Sequence, residues 1–113
     1  MPELNVFKTE TETIDTTVKT VYTAPPNYTG IVISSQITNA SDSDTTVTFT
    51  YHDSAGDSAG IELLSQFDIP ARDTAAGQSG GKLIVAANGQ LKMTADKDNN
   101  LKLVMGILES LNG

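Results

Sequence analysis

Hydrophobic and polar residues alternate with a period of two along several stretches of the chain. Val47, Phe49 and Tyr51 alternate with Thr46, Thr48 and Thr50, and Leu91, Met93 and Ala95 with Lys92 and Thr94. Leu101, Leu103, Met105 and Ile107 fall on one parity. Successive side chains of a strand point to opposite faces, so these runs predict strands with one face buried and one in water. Strands are predicted near 4–12, 17–24, 30–38, 45–52, 61–69, 82–87, 90–95 and 100–109. The same pattern predicts that Ile31, Ile33, Val47, Phe49, Leu91, Met93, Leu103 and Met105 are mostly buried. Within 61–69, Ile61, Leu64 and Phe67 also fit a helical turn. Ile61, Leu63, Phe67 and Ile69 share odd parity between Gly60 and Pro70, which favours a strand.

Turn signals separate these runs. Asn88-Gly89 predicts a tight hairpin, because both residues tolerate positive φ. Asp96 to Asn100, Asn39 to Asp44 and Pro25-Pro26-Asn27 predict further turns. Asp53 to Gly60 reads as an exposed loop, and Pro70 to Gly81 as the longest loop, with no apolar anchor. Short strands joined by short connections predict an all-β fold: a single antiparallel β-sandwich of about eight strands, jelly-roll-like.

Residues 1–16 differ from the rest. Val6, Phe7 and Ile14 are apolar residues set among threonines and acids. The segment reads either as a charged edge strand or as an extended arm reaching a neighbouring subunit, with residues 17–113 forming the sandwich. In the arm reading, the subunit-contact residues are Glu3, Val6, Phe7, Glu10, Glu12 and Ile14. Val6 and Phe7 would anchor it from opposite faces, while the glutamates would seek basic groups on the partner.

Composition narrows the function. The chain of 113 residues carries 14 acidic and 7 basic residues, a net charge of −7. Binding to a phosphate backbone or an anionic membrane surface wants the opposite sign, so neither nucleic acid nor membrane is an expected partner. No cysteine and one histidine exclude a disulfide framework, thiolate metal sites and multi-histidine sites within one chain. Fifteen threonines agree with extended backbone. No stretch reads as a signal peptide or a membrane span. The sequons Asn27-Tyr28-Thr29 and Asn39-Ala40-Ser41 therefore read as chance, and synthesis is expected in a cytoplasm.

Candidate chemistry is sparse. Gly77 to Lys82 approaches a phosphate loop, but its glycine spacing is one residue short and Leu83 stands where Ser or Thr would bind magnesium. Asp96, Asp98 and Asn100 imitate half a calcium loop, as do Asp42 and Asp44. The turn glycine and closing glutamate are missing, so local turn bonding is the plainer reading, with a weak calcium site built from several loops or between subunits as the alternative. His52-Asp53 could be a base with its acid, but neighbours on a strand point apart, and a half-exposed histidine at a strand end is the ordinary explanation. With no Trp, neither sugars nor bases find a stacking platform. No catalytic residue, metal or cofactor is expected.

An ordered set of segments covers roughly four fifths of the chain. Val21-Tyr22-Thr23-Ala24-Pro25-Pro26-Asn27-Tyr28-Thr29-Gly30-Ile31-Val32 comes first, then Ile37 to Thr48. Phe67-Asp68-Ile69-Pro70-Ala71, Gly80-Gly81-Lys82-Leu83-Ile84-Val85 and Asn88-Gly89-Gln90-Leu91-Lys92-Met93 follow. This order resembles small β-sandwich virion proteins of tailed bacteriophages, especially those of marine and cyanobacterial phages. Asp68 to Gly81 is longer than the corresponding loop, and residues 1–16 fall outside the match. The resemblance implies a non-enzymatic virion structural protein without fixing its place, and the net negative charge favours the outer surface of the particle over a position against packaged DNA. Its partners would be other virion proteins and further copies of itself. A capsid decoration (cement) protein is the first expectation. A neck, tail or fibre-attachment accessory protein is the second, and a small carbohydrate-binding module the third.

Overall fold

The run of alternating apolar residues near the C-terminus forms the strand around which one sheet is built. In the computed structural model, which describes residues 5–54, 56–57, 59–77 and 82–112, nine strands form two antiparallel sheets and no helix occurs among the described residues. They are β1 (Asn5–Ile14), β2 (Lys19–Thr23), β3 (Tyr28–Asn39), β4 (Thr45–His52), β5 (Ile61–Ile69), β6 (Thr74–Ala76), β7 (Leu83–Val85), β8 (Gln90–Ala95) and β9 (Leu101–Leu111). Sheet A has the order β1-β9-β3-β6, with β7 also paired to β3; sheet B has the order β2-β8-β4-β5.

This is jelly-roll wiring. The chain behaves as a long antiparallel ribbon folded over itself, with β1 on β9, β2 on β8, β3 on β6 and β7, and β4 on β5. The β3–β9 and β4–β8 pairings then close the two sheets. Leu101, Leu103, Met105 and Ile107 face inward from β9, and Val47, Phe49, Leu91 and Met93 meet them from sheet B. Stacked sheets with interdigitated inner faces are how a sandwich hides apolar surface from water. Sheet A's long strands give the molecule an elongated shape, 47 × 26 × 23 Å.

The period-two reading fails where the backbone stops being regular. Ile31 is only half-buried and Ile33 is exposed, contrary to expectation. The cause is a bulge in β3, where Val32 pairs with Ile107 and Ser34 with Gly106, leaving Ile33 as the extra residue. A bulge inserts one residue and so reverses the parity beyond it. Before it Gly30 and Val32 face inward; after it Ser35, Ile37 and Asn39 do. In β5 the odd parity breaks in the same way. Val47 pairs with Phe67 but Phe49 with Leu64, and Gln66 takes a φ of 47°. Leu63 and Leu64 both pack partly against the core, whereas Ile61 and Phe67, opposite Tyr51 and Val47 on this terminal strand, remain exposed.

Two further expectations are corrected. Asn88-Gly89 makes a turn, with Asn88 at φ 69° and the Gly89 N–H donating to the Ala86 carbonyl at 2.8 Å. It does not make a hairpin, because β7 belongs to sheet A and β8 to sheet B. The turn instead carries the chain between layers, docked on Ala24 by two backbone hydrogen bonds. The predicted loop 70–81 contains β6, held to β3 through residues 36–38. Gly80 and Gly81 of that loop lie outside the described residues.

Candidate interaction surfaces

β1 is the terminal strand of sheet A, paired along its length with β9 from Asn5↔Ser110 to Ile14↔Leu101. Residues directly opposite in such a ladder share a face. Val6, Lys8, Glu10, Glu12 and Ile14 therefore face inward with Glu109, Ile107, Met105, Leu103 and Leu101, and Phe7 faces outward with Leu108. The inward face of this edge strand is thus mostly charged. Inward charges on an edge discourage a foreign strand from inserting between the sheets.

The charges find partners on β2 and β9. Lys19 Nζ lies 3.4 Å from Glu12 Oε1 and 3.7 Å from Asp15 Oδ2, and donates to the Thr13 carbonyl at 2.9 Å. Glu109 is buried, 3.6 Å from Lys8 Nζ, and its Oε2 accepts a 2.7 Å hydrogen bond from the Tyr22 hydroxyl. Burial first, and then the Glu109 acceptor, push the Tyr22 hydroxyl pKa far above the ordinary phenol range.

The six residues expected to contact a subunit are thus distributed. Ile14 is fully buried in the chain's own core. Glu12 pairs with Lys19 of the same chain, and Glu10 is half-buried on the inward face. Val6 is half-buried, whereas Phe7 is 77% exposed. Glu3 lies outside the described residues. The fold brings other apolar residues to the surface beside Phe7, among them Ile84 at 56% and Val104 at 47% exposure. Their signal in the sequence was apolar character at both parities, in Leu83-Ile84-Val85 and Leu103-Val104-Met105.

The candidate chemical groups are engaged in structure. His52 is buried rather than half-exposed; Nε2 lies 2.8 Å from the Thr50 hydroxyl and Nδ1 2.5 Å from the Asp57 carbonyl. Gly60, at φ 68°, packs against the ring, where a Cβ would come within 2.5 Å. The histidine pins the β4–β5 loop, and both its nitrogens are occupied in doing so. The calcium-like aspartates stitch the turns at one end of the sandwich. Asp98 Oδ1 accepts from the Thr16 N–H and hydroxyl, Asp96 from Thr46 N, Asp44 from Ala71 N, and Asp15 from Asn99 N. Arg72 bonds Asp42, and the Lys97 ammonium bonds the Asp44 carbonyl. The sequon residue Asn39 is fully buried, donating to the carbonyls of Ser43 and Ile69. Among the described residues no group of three or more His, Cys, Asp or Glu side chains could hold a metal ion.

At the flank opposite β1, the sheets leave an open cleft of about 390 Å³, lined by residues that include Leu64, Phe67, Ile69, Asp73 and Ala75. Its walls are the terminal strands β5 and β6. Its lining includes the carboxylates of Asp68 and Asp73, and its apolar residues are continuous with the core.

No family model matches the chain, and no curated protein matches it. Among solved structures, the fold is similar to a chain in the acidic stable capsid structure of Helicobacter pylori bacteriophage KHP30, with a TM-score of 0.56 at 15% identity. The superposition covers 98% of this chain and 90% of the other, so the likeness spans the whole nine-strand arrangement and is a likeness of fold.

Proposed function

We propose that the chain is a non-enzymatic structural subunit of a bacteriophage particle, in the first place a decoration (cement) protein on the outer surface of the capsid. The observation that carries this reading is the fold likeness over 98% of the chain to a chain in a phage capsid structure. The resemblance of the turn-and-strand segments to virion β-sandwich proteins of tailed phages points the same way. The physical properties agree. A net charge of −7 disfavours an inner position against packaged DNA and suits an outward one. Carboxylates committed to loop stitching and a histidine committed to packing make a rigid module rather than a reactive one.

In this reading the partners are other virion proteins and further copies of the chain, which is made in the host cytoplasm. β1 closes sheet A on its β9 side and offers a neighbour its outward side chain, Phe7, and its free edge. The test is the location of the protein in purified virions of the phage that encodes it. Antibody labelling or a cryo-EM map should place it in regular array on the head. Regular density at the neck, tail or fibres would move it to the second reading, an accessory protein there. Particles free of the protein would overturn the virion assignment.

A further inference from the structure

The outer face of sheet A is an odd surface for so acidic a chain. The ladders place Phe7, Leu108, Ile31 and Ile84 side by side, one from each of β1, β9, β3 and β7. Alternation with the buried Ile107 and Glu109 turns Leu108 outward, and the bulge leaves Ile33 exposed at 44% beside the row. Val104 stands further along β9 on the same face. The remaining outward residues of these strands are threonine, serine, glycine, glutamine, asparagine and alanine, with Lys102 as the one charge among the described residues. None of the chain's 14 carboxylates stands on these described outward positions.

Sheet B shows what a water-facing wall of this protein looks like. Its outer face carries Thr20, Thr46, Thr50, Lys92, Glu62 and Asp68. The apolar row of sheet A is therefore not the general habit of the chain. Contiguous exposed apolar surface rimmed by polar residues marks a contact site.

We propose that this face binds the same face of a second copy, forming a symmetric dimer with the two A sheets back to back. Charge selects the occupant. Two copies of charge −7 repel over most of their surfaces, and this is the broad face on which they can meet without opposing carboxylates. A twofold contact needs one self-complementary patch, which an uncharged apolar row provides. The size also suffices: ten residues on each of β1, β9 and β3, with the three of β6 and the three of β7, span roughly 570 Å², above the ~500 Å² a side that a specific interface needs. The proposal does not depend on where in a particle the protein sits.

Sedimentation equilibrium of the full chain tests it, from about 1 to about 100 µM. The wild type should dimerise within that range. Dimerisation should tighten as salt screens the net repulsion. The double variant Phe7→Glu/Ile84→Glu should weaken association at least a hundredfold, while Thr20→Glu on sheet B leaves it unchanged. If circular dichroism shows the double variant unfolded, Phe7→Ser/Ile84→Thr is read instead, with at least a tenfold loss expected. A wild type that stays monomeric at about 100 µM, face variants that associate normally, or an association that loosens with salt each overturn the proposal. A monomer whose face variants no longer attach to particles assigns the face to another virion protein. That outcome also overturns the second-copy proposal but leaves the virion reading standing; a dimer absent from virions does the reverse.

Discussion

Gly30 lies opposite Glu109 in the β3–β9 ladder, beneath the ring of Tyr22. A Cβ at this position would stand 2.5 Å from the Tyr22 hydroxyl oxygen, so the absent side chain is what lets Tyr22 reach Glu109. Gly30→Ala should cost about 1–3 kcal/mol, as overpacking does. Tyr22→Phe should cost about 1–3 kcal/mol by leaving a buried carboxylate oxygen short of a donor. Both act through one contact, so the double variant should lose less than the sum in urea unfolding. Strict additivity would show that Gly30 and Tyr22 act separately. Phe49, fully buried at the centre of sheet B, is the simpler case. Phe49→Ala should cost about 3–5 kcal/mol, and a measured loss below about 1 kcal/mol would contradict its place in the core.

Among elements, the aspartate-rich turns explain why a chain with so many carboxylates holds its loops in order. Backbone and then hydroxyl hydrogen bonds from Thr16 hold the Asp98 carboxyl below its usual pKa, and the N–H groups of Gly60 and Asp53 do the same for Asp57. A depressed folded-state pKa means that the stabilisation is present above the unfolded value, near 4, and is lost as pH falls through the folded one. Asp98→Ala should therefore lower the thermal midpoint at pH 7, and the gap to wild type should close in strongly acid solution. A gap that persists there would mean that charge is not the agent. These turns were legible in the sequence, as were eight of the nine strands, all but β6. The failures have one physical origin. Period-two reasoning assumes an unbroken ladder, and the bulges at Ile33 and Gln66 cannot be seen in residue types. Asn88-Gly89 announced its turn, but a turn does not say whether the strands it joins pair or separate. β6 has no apolar anchor except Ala75, so only its partner β3 makes it a strand. Of the candidate surface, Phe7 was legible, with its neighbour Val6, as an apolar residue in a polar segment. Ile84, Val104 and Leu108 were not, because apolar residues at both parities read as a strand buried on two sides.

At the scale of the molecule, β9 lies between β1 and β3, so sheet A is assembled around the last of the nine strands. A protein shortened after residue 100 loses Leu101, Leu103, Met105 and Ile107 from the core and leaves β1 with no strand to pair. It should show no cooperative unfolding transition, whereas a wild-type chain should show one; a folded fragment would mean that sheet B suffices alone. The placement also sets a schedule for biosynthesis. β1 is made first but has no ladder until β9 has left the ribosome, and β2 must likewise wait for β8. Sheet A therefore closes only after β9 has been made, and nascent β1 must stay out of wrong pairings for the whole interval. Its alternation of threonine, glutamate and lysine, weakly cohesive by itself, is well suited to that wait.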